Sequence, residues 1–405
     1  MNKTSSDADS SVFTPGAVTP KVPLWTSDFV LLTLANFVTF LGFYCLIPVM
    51  PKFAESLGAN ENMIGLIIGA FSISALFVRP FTGNLVDRGN RRLVLIVAMS
   101  LFSLSFVSYA YAESFNALLI LRLVHGISWG VLGTTLATFA ADIVPAPRRG
   151  EGLGFYGMAS SVAMTLGPTI GVMALFAGSY AFAFAAAGAI VWMGMVFSAL
   201  VKIPAAQGRG SQAETGWRRF IEVRAIPLAL LLFFSAFMYS GIISFIPLYA
   251  EQFGLGSSAL FFAVFAGGVL LSRPFSGRLF DRLGENIIIP PGLLAMCACV
   301  LLLGITQEKA WYLVAATLGG IGFGTVSPAY QAMAINRVEP RRRGAANATL
   351  ITAMDLGIGI GSITLGVVAG FFDYRSMFIV SSLSGVAALA YFWHIIKPNP
   401  KERLG

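Results

Sequence analysis

Long apolar runs separated by short charged loops make up most of the chain. Runs free or nearly free of charge cover 29–50, 63–78, 93–112, 115–141, 152–175 and 180–201, and then 225–250, 253–272, 287–306, 311–336, 345–371 and 377–396. About 20 helical residues span the hydrocarbon core of a bilayer, and most of these runs reach that length. The run 63–78 is short but extends through Pro80 to Gly83. The stretch 152–201 carries no charge and is too long for one span, so it divides near Gly178-Ser179. The pattern predicts an all-α membrane protein of twelve transmembrane helices in two six-helix bundles. Each helix satisfies its own backbone groups within the membrane.

Composition agrees. Of 405 residues, 56% are hydrophobic and 11% charged, and mean hydropathy is +0.78. About a quarter of a soluble chain is charged. The basic residues set the orientation. With the N-terminus inside, the inner loops hold Arg88, Arg91, Arg92, Arg148, Arg149, Lys202, Arg209, Arg218, Arg219, Arg224, Arg278, Arg282, Arg337, Arg341, Arg342 and Arg343. The other face keeps Lys52, Lys309 and Arg375. Both termini are expected in the cytoplasm, in a multi-pass protein of the cell (inner) membrane. The net charge of +8 fits basic loops facing anionic lipid and calls for no nucleic acid. Residues 1–25 read as a disordered cytoplasmic N-terminus without a cleaved signal peptide. The first bundle covers 26–201, a cytoplasmic linker 202–224, the second bundle 225–396 and a cytoplasmic tail 397–405.

The two bundles repeat one another. Arg79-Pro-Phe-Thr-Gly-Asn-Leu-Val-Asp-Arg88 returns at an offset of 194 as Arg273-Pro-Phe-Ser-Gly-Arg-Leu-Phe-Asp-Arg282, with seven of ten positions identical. Pro51, Ala54, Glu55 and Gly58 match Pro247, Ala250, Glu251 and Gly254, and Gly126 and Gly130 match Gly320 and Gly324. Two similar halves that rock about a site between them point to a transporter.

On these residues the chain resembles the major facilitator superfamily, and within it the twelve-helix proton-coupled drug and metabolite antiporters. Gly83-x-Leu85-x-Asp87-Arg88, with Arg91 and Arg92, is similar to that superfamily's loop 2–3 motif, although the second glycine sits at Gly89. The second copy keeps Gly277, Asp281, Arg282 and Gly284 but lacks the trailing basic pair. Leu41-Gly42 with Pro48 and Pro51 resembles the first-helix motif of twelve-helix antiporters. Arg122-x-x-His125-Gly126 resembles the helix-4 motif, with His where Gln is usual. Gly167-Pro168-x-x-Gly171 resembles the helix-5 antiporter motif. The resemblance implies export of a small organic solute by alternating access, in exchange for protons. An importer or symporter of a small metabolite, or a lipid or glycolipid flippase, is the alternative on the same fold.

Each motif also has a physical reading. Asp87 and Asp281 fall at helix ends, where carboxylates accept hydrogen bonds from helix N-termini and arginines. Such a cluster, with Arg88, Arg91 and Arg282, can latch the inner face; a static turn is the plain alternative. Arg79 and Arg273 fall near the inner boundary, where snorkelling suffices. Pro168 in mid-span removes a helical hydrogen bond, and its neighbouring small residues suit close helix contact.

Ionisable residues inside spans are the informative minority, because a charge at mid-bilayer costs about 2.5–3.5 kcal/mol on insertion scales. Asp355 lies well inside the eleventh helix, and its repeat equivalent is Ser161. Arg122 and His125 share a face of the fourth helix. The expectation is that Asp355 carries or gates the proton, with Arg122 tuning it and His125 a weaker candidate. A satisfied helix contact is the plain alternative for Asp355, and bonding to carbonyls of the fifth helix for Arg122.

The resemblance implies a central cavity lined by helices 1, 4, 7 and 10, which offer Asn36, Tyr44, Trp129, Tyr239, Ser240, Tyr330 and Gln331. Aromatics with a few polar groups suit amphipathic cargo. Cys45, Cys297 and Cys299 read as small core residues rather than metal ligands. No paired carboxylates, nucleophile elbow or phosphate loop marks an enzyme, so the expectation is a monomeric transporter without cofactor or metal. Its partners would be a small-molecule substrate, protons and the lipid bilayer, with the proton gradient as energy source.

Overall fold

A computed structural model describes residues 23–145, 148–203, 221–339 and 342–396, apart from the side chains at 83–84, 87–88, 149–150, 274–283, 335, 343–344 and 395–396. The chain forms α1 (Ser27–Ser56), α2 (Glu61–Arg88), α3 (Arg91–Tyr109), α4 (Phe115–Ile143), α5 (Arg149–Ala177) and α6 (Tyr180–Leu200). The second half forms α7 (Ile226–Gln252), α8 (Ser258–Leu283), α9 (Glu285–Ile305), α10 (Lys309–Asn336), α11 (Arg343–Phe371) and α12 (Tyr374–Tyr391). Eleven of the described helical segments are long and apolar enough to span a membrane, and α8 adds the shorter apolar stretch Ser258–Arg273. The uncharged stretch divides as expected, with Gly178 ending α5 and Ser179 capping α6.

Helix starts follow the polar residues between the apolar runs. Thr26, Asn60, Asn90, Ser114, Ser179 and Asp373 are N-caps whose side chains accept an otherwise unpaired backbone N–H. The Ser376 backbone N–H, 2.6 Å from the Asp373 carboxylate, holds it below the ordinary carboxylate range. α1 and α7 end alike, on Gly58 and Gly254 at φ 81° and 62°, a conformation that favours glycine.

Packing repeats as the sequence does. α2 lies on α4 through Gly126, where an added Cβ would come 2.3 Å from the Phe71 carbonyl oxygen; α8 lies on α10 through Gly320, where it would come 2.1 Å from that of Phe265. Phe71 and Phe265 are themselves equivalent at the offset of 194. Within the first half α1 packs on α5 and α6, and within the second α7 packs on α11 and α12. The halves meet along α2–α11, α5–α8 and α1–α7.

Both ends of the described chain lie on one face, here called proximal. There the Lys202 N–H donates to Asp28, Arg92 donates to the Ala199 carbonyl, and Arg342 pairs with Glu222 at 2.6 Å. Burial by itself would push Glu222 up, but Arg342 and the Arg224 N–H hold it below its ordinary value.

Two expected boundaries shift. Leu24 is buried and Trp25 packs 4.9 Å from Phe155, so the N-terminal stretch expected to be disordered through 25 is ordered from Leu24 onward. The apolar side chains there cover the α4–α5 turn through Val144. Glu222 and Arg224 belong to the second half rather than to a linker, because the Glu222 N–H also donates to Thr349. The segments 1–22, 204–220 and 397–405 lie outside the described residues.

Candidate functional site

The closest junction of the halves is an antiparallel seam of α2 and α11. Gly65 faces the Ser362 carbonyl, where an added Cβ would come within 2.4 Å, and Gly366 faces the Glu61 carbonyl at 2.7 Å. Small residues at such positions let two backbones approach within a membrane. Moving toward the proximal face, Gly69 and Ser72 meet Gly359. The row ends on an ion pair, Arg79 Nη2 to Asp355 Oδ2 at 2.6 Å. Their side chains are 17% and 16% exposed, so the pair is mostly withdrawn from solvent. Arg79 is therefore not a snorkelling boundary residue; it crosses between halves to the one carboxylate in mid-span.

The related junction, α5 with α8, carries no such carboxylate at the matching position. Ser161 stands where Asp355 does in the other half, and its hydroxyl donates back to the Gly157 carbonyl. Gly157 and Gly154, on the same side of α5 and nearer the proximal face, meet nothing within 4 Å among the described residues. The halves are thus joined tightly along the distal part of the α2–α11 seam.

The residues of the helix-1 and helix-5 motifs form one contact. α1 runs unbroken through Pro48 and Pro51, and α5 through Pro168. Gly167 lies against Tyr44, and an added Cβ at Gly171 would stand 1.8 Å from the Cys45 carbonyl oxygen. These glycines set how closely α5 approaches α1. The Tyr44 hydroxyl lies within electrostatic reach of Asp355 and of Tyr239.

Arg122 and His125 stand elsewhere. Arg122 is buried, donates from Nε to the Ile67 carbonyl of α2 at 3.2 Å, and lies 4.5 Å from the centre of the Phe71 ring. Its partner helix is α2, not the expected α5. His125 is fully buried among Phe71, Phe102 and Phe106, with Nδ1 2.7 Å from the Tyr109 hydroxyl. The partner of Asp355 is Arg79, so the expected tuning by Arg122 is not the arrangement found. Sequence reasoning missed Arg79; the signal was a carboxylate and an arginine in facing helices, only one of which has a charged twin.

In the loop motif, the side chains of Gly83, Asp87, Arg88, Gly277, Asp281 and Arg282 lie outside the described residues. Arg91 is described: it pairs with Asp142 of α4 at 2.8 Å and lies over the Phe139 ring. This contact ties α3 to α4 inside the first half rather than joining the halves, and Asp142 was not singled out from sequence. The two copies also turn differently. Gly284 has φ 77°, whereas its equivalent Asn90 has an ordinary φ of −72° and caps α3.

Six of the seven residues expected to line a central cavity are buried. Asn36 is buried between α1 and α5, donating to the Tyr156 carbonyl and, at 2.6 Å, to Ser160. Trp129 stacks on Phe43 inside the first bundle, and Tyr239 on Phe323 inside the second. Ser240 donates to the Phe237 carbonyl, and Tyr330 is enclosed beside Ser235. Tyr44 is buried as well, and Gln331 alone of the seven is exposed. Cys45, Cys297 and Cys299 are buried and not disulfide-bonded.

Comparison with known proteins gives a consistent set. The model of the Major Facilitator Superfamily matches residues 32–307 and 260–405. The quinolone resistance protein NorA of Staphylococcus aureus (strain COL) is 26% identical over 344 residues, 82% of this chain and 87% of that protein. Multidrug resistance protein 1 of Bacillus subtilis (strain 168) is 26% identical over 371 residues, 88% of this chain and 94% of that protein. Among solved structures, a bacterial homologue of the human lysosomal transporter Spinster, in an inward-facing and occupied conformation, superposes with a TM-score of 0.75. It is 17% identical and covers 93% of this chain and 98% of its own.

Proposed function

We propose that this chain, which belongs to the major facilitator superfamily, exports a small organic solute by alternating access in exchange for protons. It is a transporter rather than an enzyme. The observation that carries the finer reading is the Arg79–Asp355 pair, an ionisable contact that crosses the halves and has no carboxylate twin. The names of NorA and of multidrug resistance protein 1 support a drug-like organic cargo and outward transport.

The positive-inside rule supports a cytoplasmic proximal face: among the described loop residues Arg91, Arg92, Arg148, Lys202, Arg337 and Arg342 lie there, against Lys52, Lys309 and Arg375 on the other side. With the distal seam shut, we read this state as closed toward the outside. In this state Asp355 is ionised and bound to Arg79. Protonation removes the carboxylate's charge and with it the attraction that holds this end of the seam. A cationic or polar cargo that hydrogen-bonds to Asp355 displaces Arg79 in the same way. Cargo and proton then compete for one group, so that each leaves as the other arrives. A group that serves both makes exchange obligatory without a second site.

The test uses inside-out membrane vesicles containing the protein and a fluorescent lipophilic cation, ethidium, as probe. An acidic lumen should drive accumulation several-fold above vesicles lacking the protein, and a protonophore should discharge it. Accumulation driven instead by an alkaline lumen identifies an importer; accumulation indifferent to the gradient removes the proton from the account.

A further inference from the structure

At the distal face the pseudo-twofold brings two like charges together. Glu55 ends α1 and Glu251 ends α7, and they occupy equivalent positions of the repeat, each three residues before the positive-φ glycine Gly58 or Gly254. Elements that meet on a symmetry axis present the same residue to each other, so closing this face sets carboxylate against carboxylate. Such a contact opposes closure. One substitution between the halves relieves it: Lys52 stands where the second half has Leu248. Lys52 forms an ion pair with Glu251 across the halves.

The surrounding groups make the cluster uneven. Lys52 and Glu251 are near enough to Glu55 to act on it electrostatically, as is Glu61 at the start of α2. Tyr180 of α6 donates to the Lys52 carbonyl at 3.2 Å, fixing the backbone that carries the ammonium. Tyr374 of α12 reaches Glu61 at 3.5 Å, a second and weaker link between halves. Glu55 is therefore acted on by two carboxylates and one lysine. At this point of the face one cross-half ion pair draws the ends of α1 and α7 together, while the neighbouring carboxylates oppose it.

We propose that Lys52 and the twin carboxylates Glu55 and Glu251 form the distal lock of the transport cycle. The Lys52–Glu251 pair closes it, and repulsion between Glu55 and Glu251 is the spring that opens it. The lock rests on the alternating-access reading above but is independent of Asp355 and of the proton. Because side chains near water attract and repel only moderately, the lock biases the two states rather than freezing one. Such a bias suits a face that opens once per cycle.

Spin labels on Tyr111→Cys and Gln307→Cys, exposed distal-loop positions in opposite halves, report the opening. The native cysteines are buried. Distances are measured in nanodiscs without cargo or gradient, and again with ethidium. Lys52→Met should shift the population toward the long distance by at least about threefold, and Lys52→Arg should preserve closure. Glu55→Gln should shift it toward the short distance, and Lys52→Met with Glu55→Gln should fall between the two. If the wild type samples both distances but Lys52→Met leaves them unchanged, or Glu55→Gln opens the face, the lock is wrong while alternating access stands. If one distance persists in every variant, with and without ethidium, alternating access itself fails at this face and the lock fails with it.

Discussion

Asp355→Asn abolishes gradient-driven accumulation of cargo while downhill exchange of cargo continues at a measurable rate. The amide keeps the size of the carboxylate and its place on α11, but it neither ionises nor carries a proton. Cargo then moves without an obligatory counter-ion. The same substitution leaves the Arg79 guanidinium at the α2–α11 seam without its carboxylate. Removing one member of a buried ion pair costs about 3–5 kcal/mol, because the remaining charge stays desolvated. The residual exposure of both side chains places this case toward the lower end. Arg79→Met should be similarly destabilised, and Arg79→Met with Asp355→Asn less so than either alone, a coupling read from a double-mutant cycle of thermal midpoints. Wild-type accumulation by Asp355→Asn contradicts the coupling role. Singles and double that simply add contradict the pairing.

Gly171→Leu prevents the first bundle from assembling. Even the first side-chain atom would lie 1.8 Å from the Cys45 carbonyl oxygen, which belongs to the backbone of α1 and cannot rotate aside. Overpacking a well-filled site typically costs 1–3 kcal/mol, and a clash with backbone lies at or above the top of that range. Gly171→Ala should therefore lower the thermal midpoint clearly, and Gly171→Leu should yield little monodisperse protein on size exclusion. Gly133→Ala is the matched control on α4: it meets nothing within 4 Å among the described residues and should leave the midpoint unchanged. A Gly171→Ala variant as stable as Gly133→Ala would show that α1 and α5 are not held at this spacing.

Much of this architecture is legible in the sequence, because in lipid the length of an apolar run and its polar breaks already specify a helix. The twelve runs, the break at Gly178-Ser179 and the doubled motif all correspond to described elements. Equivalent glycines, Gly126 and Gly320, even make equivalent contacts. Asp355 also stands out unaided, since an isolated charge in mid-span needs a partner. Which partner is a different matter. Arg79 and Arg122 both lie in apolar helices, and only the rotation of α2 against α11 decides that Arg79 reaches the carboxylate while Arg122 turns to the Ile67 carbonyl. Lys52–Glu251 and Arg91–Asp142 escaped notice for the same reason, as pairs distant in sequence joined by helix packing. Cavity residues fared worst. Asn36, Trp129 and Tyr330 are polar or aromatic residues of the expected helices, but helical rotation turns them into the bundles rather than toward the junction of the halves.

The central claim is that one carboxylate exchanges a proton for cargo, and proton release on cargo binding measures it most directly. Purified protein in weakly buffered detergent solution, with a pH-sensitive dye, is mixed with ethidium at a pH where Asp355 is partly protonated. The account predicts a stoichiometric acidification with the wild type, retained by His125→Phe and absent from Asp355→Asn even where ethidium still binds. Acidification undiminished in Asp355→Asn, or no acidification from a wild type that binds ethidium, would contradict it.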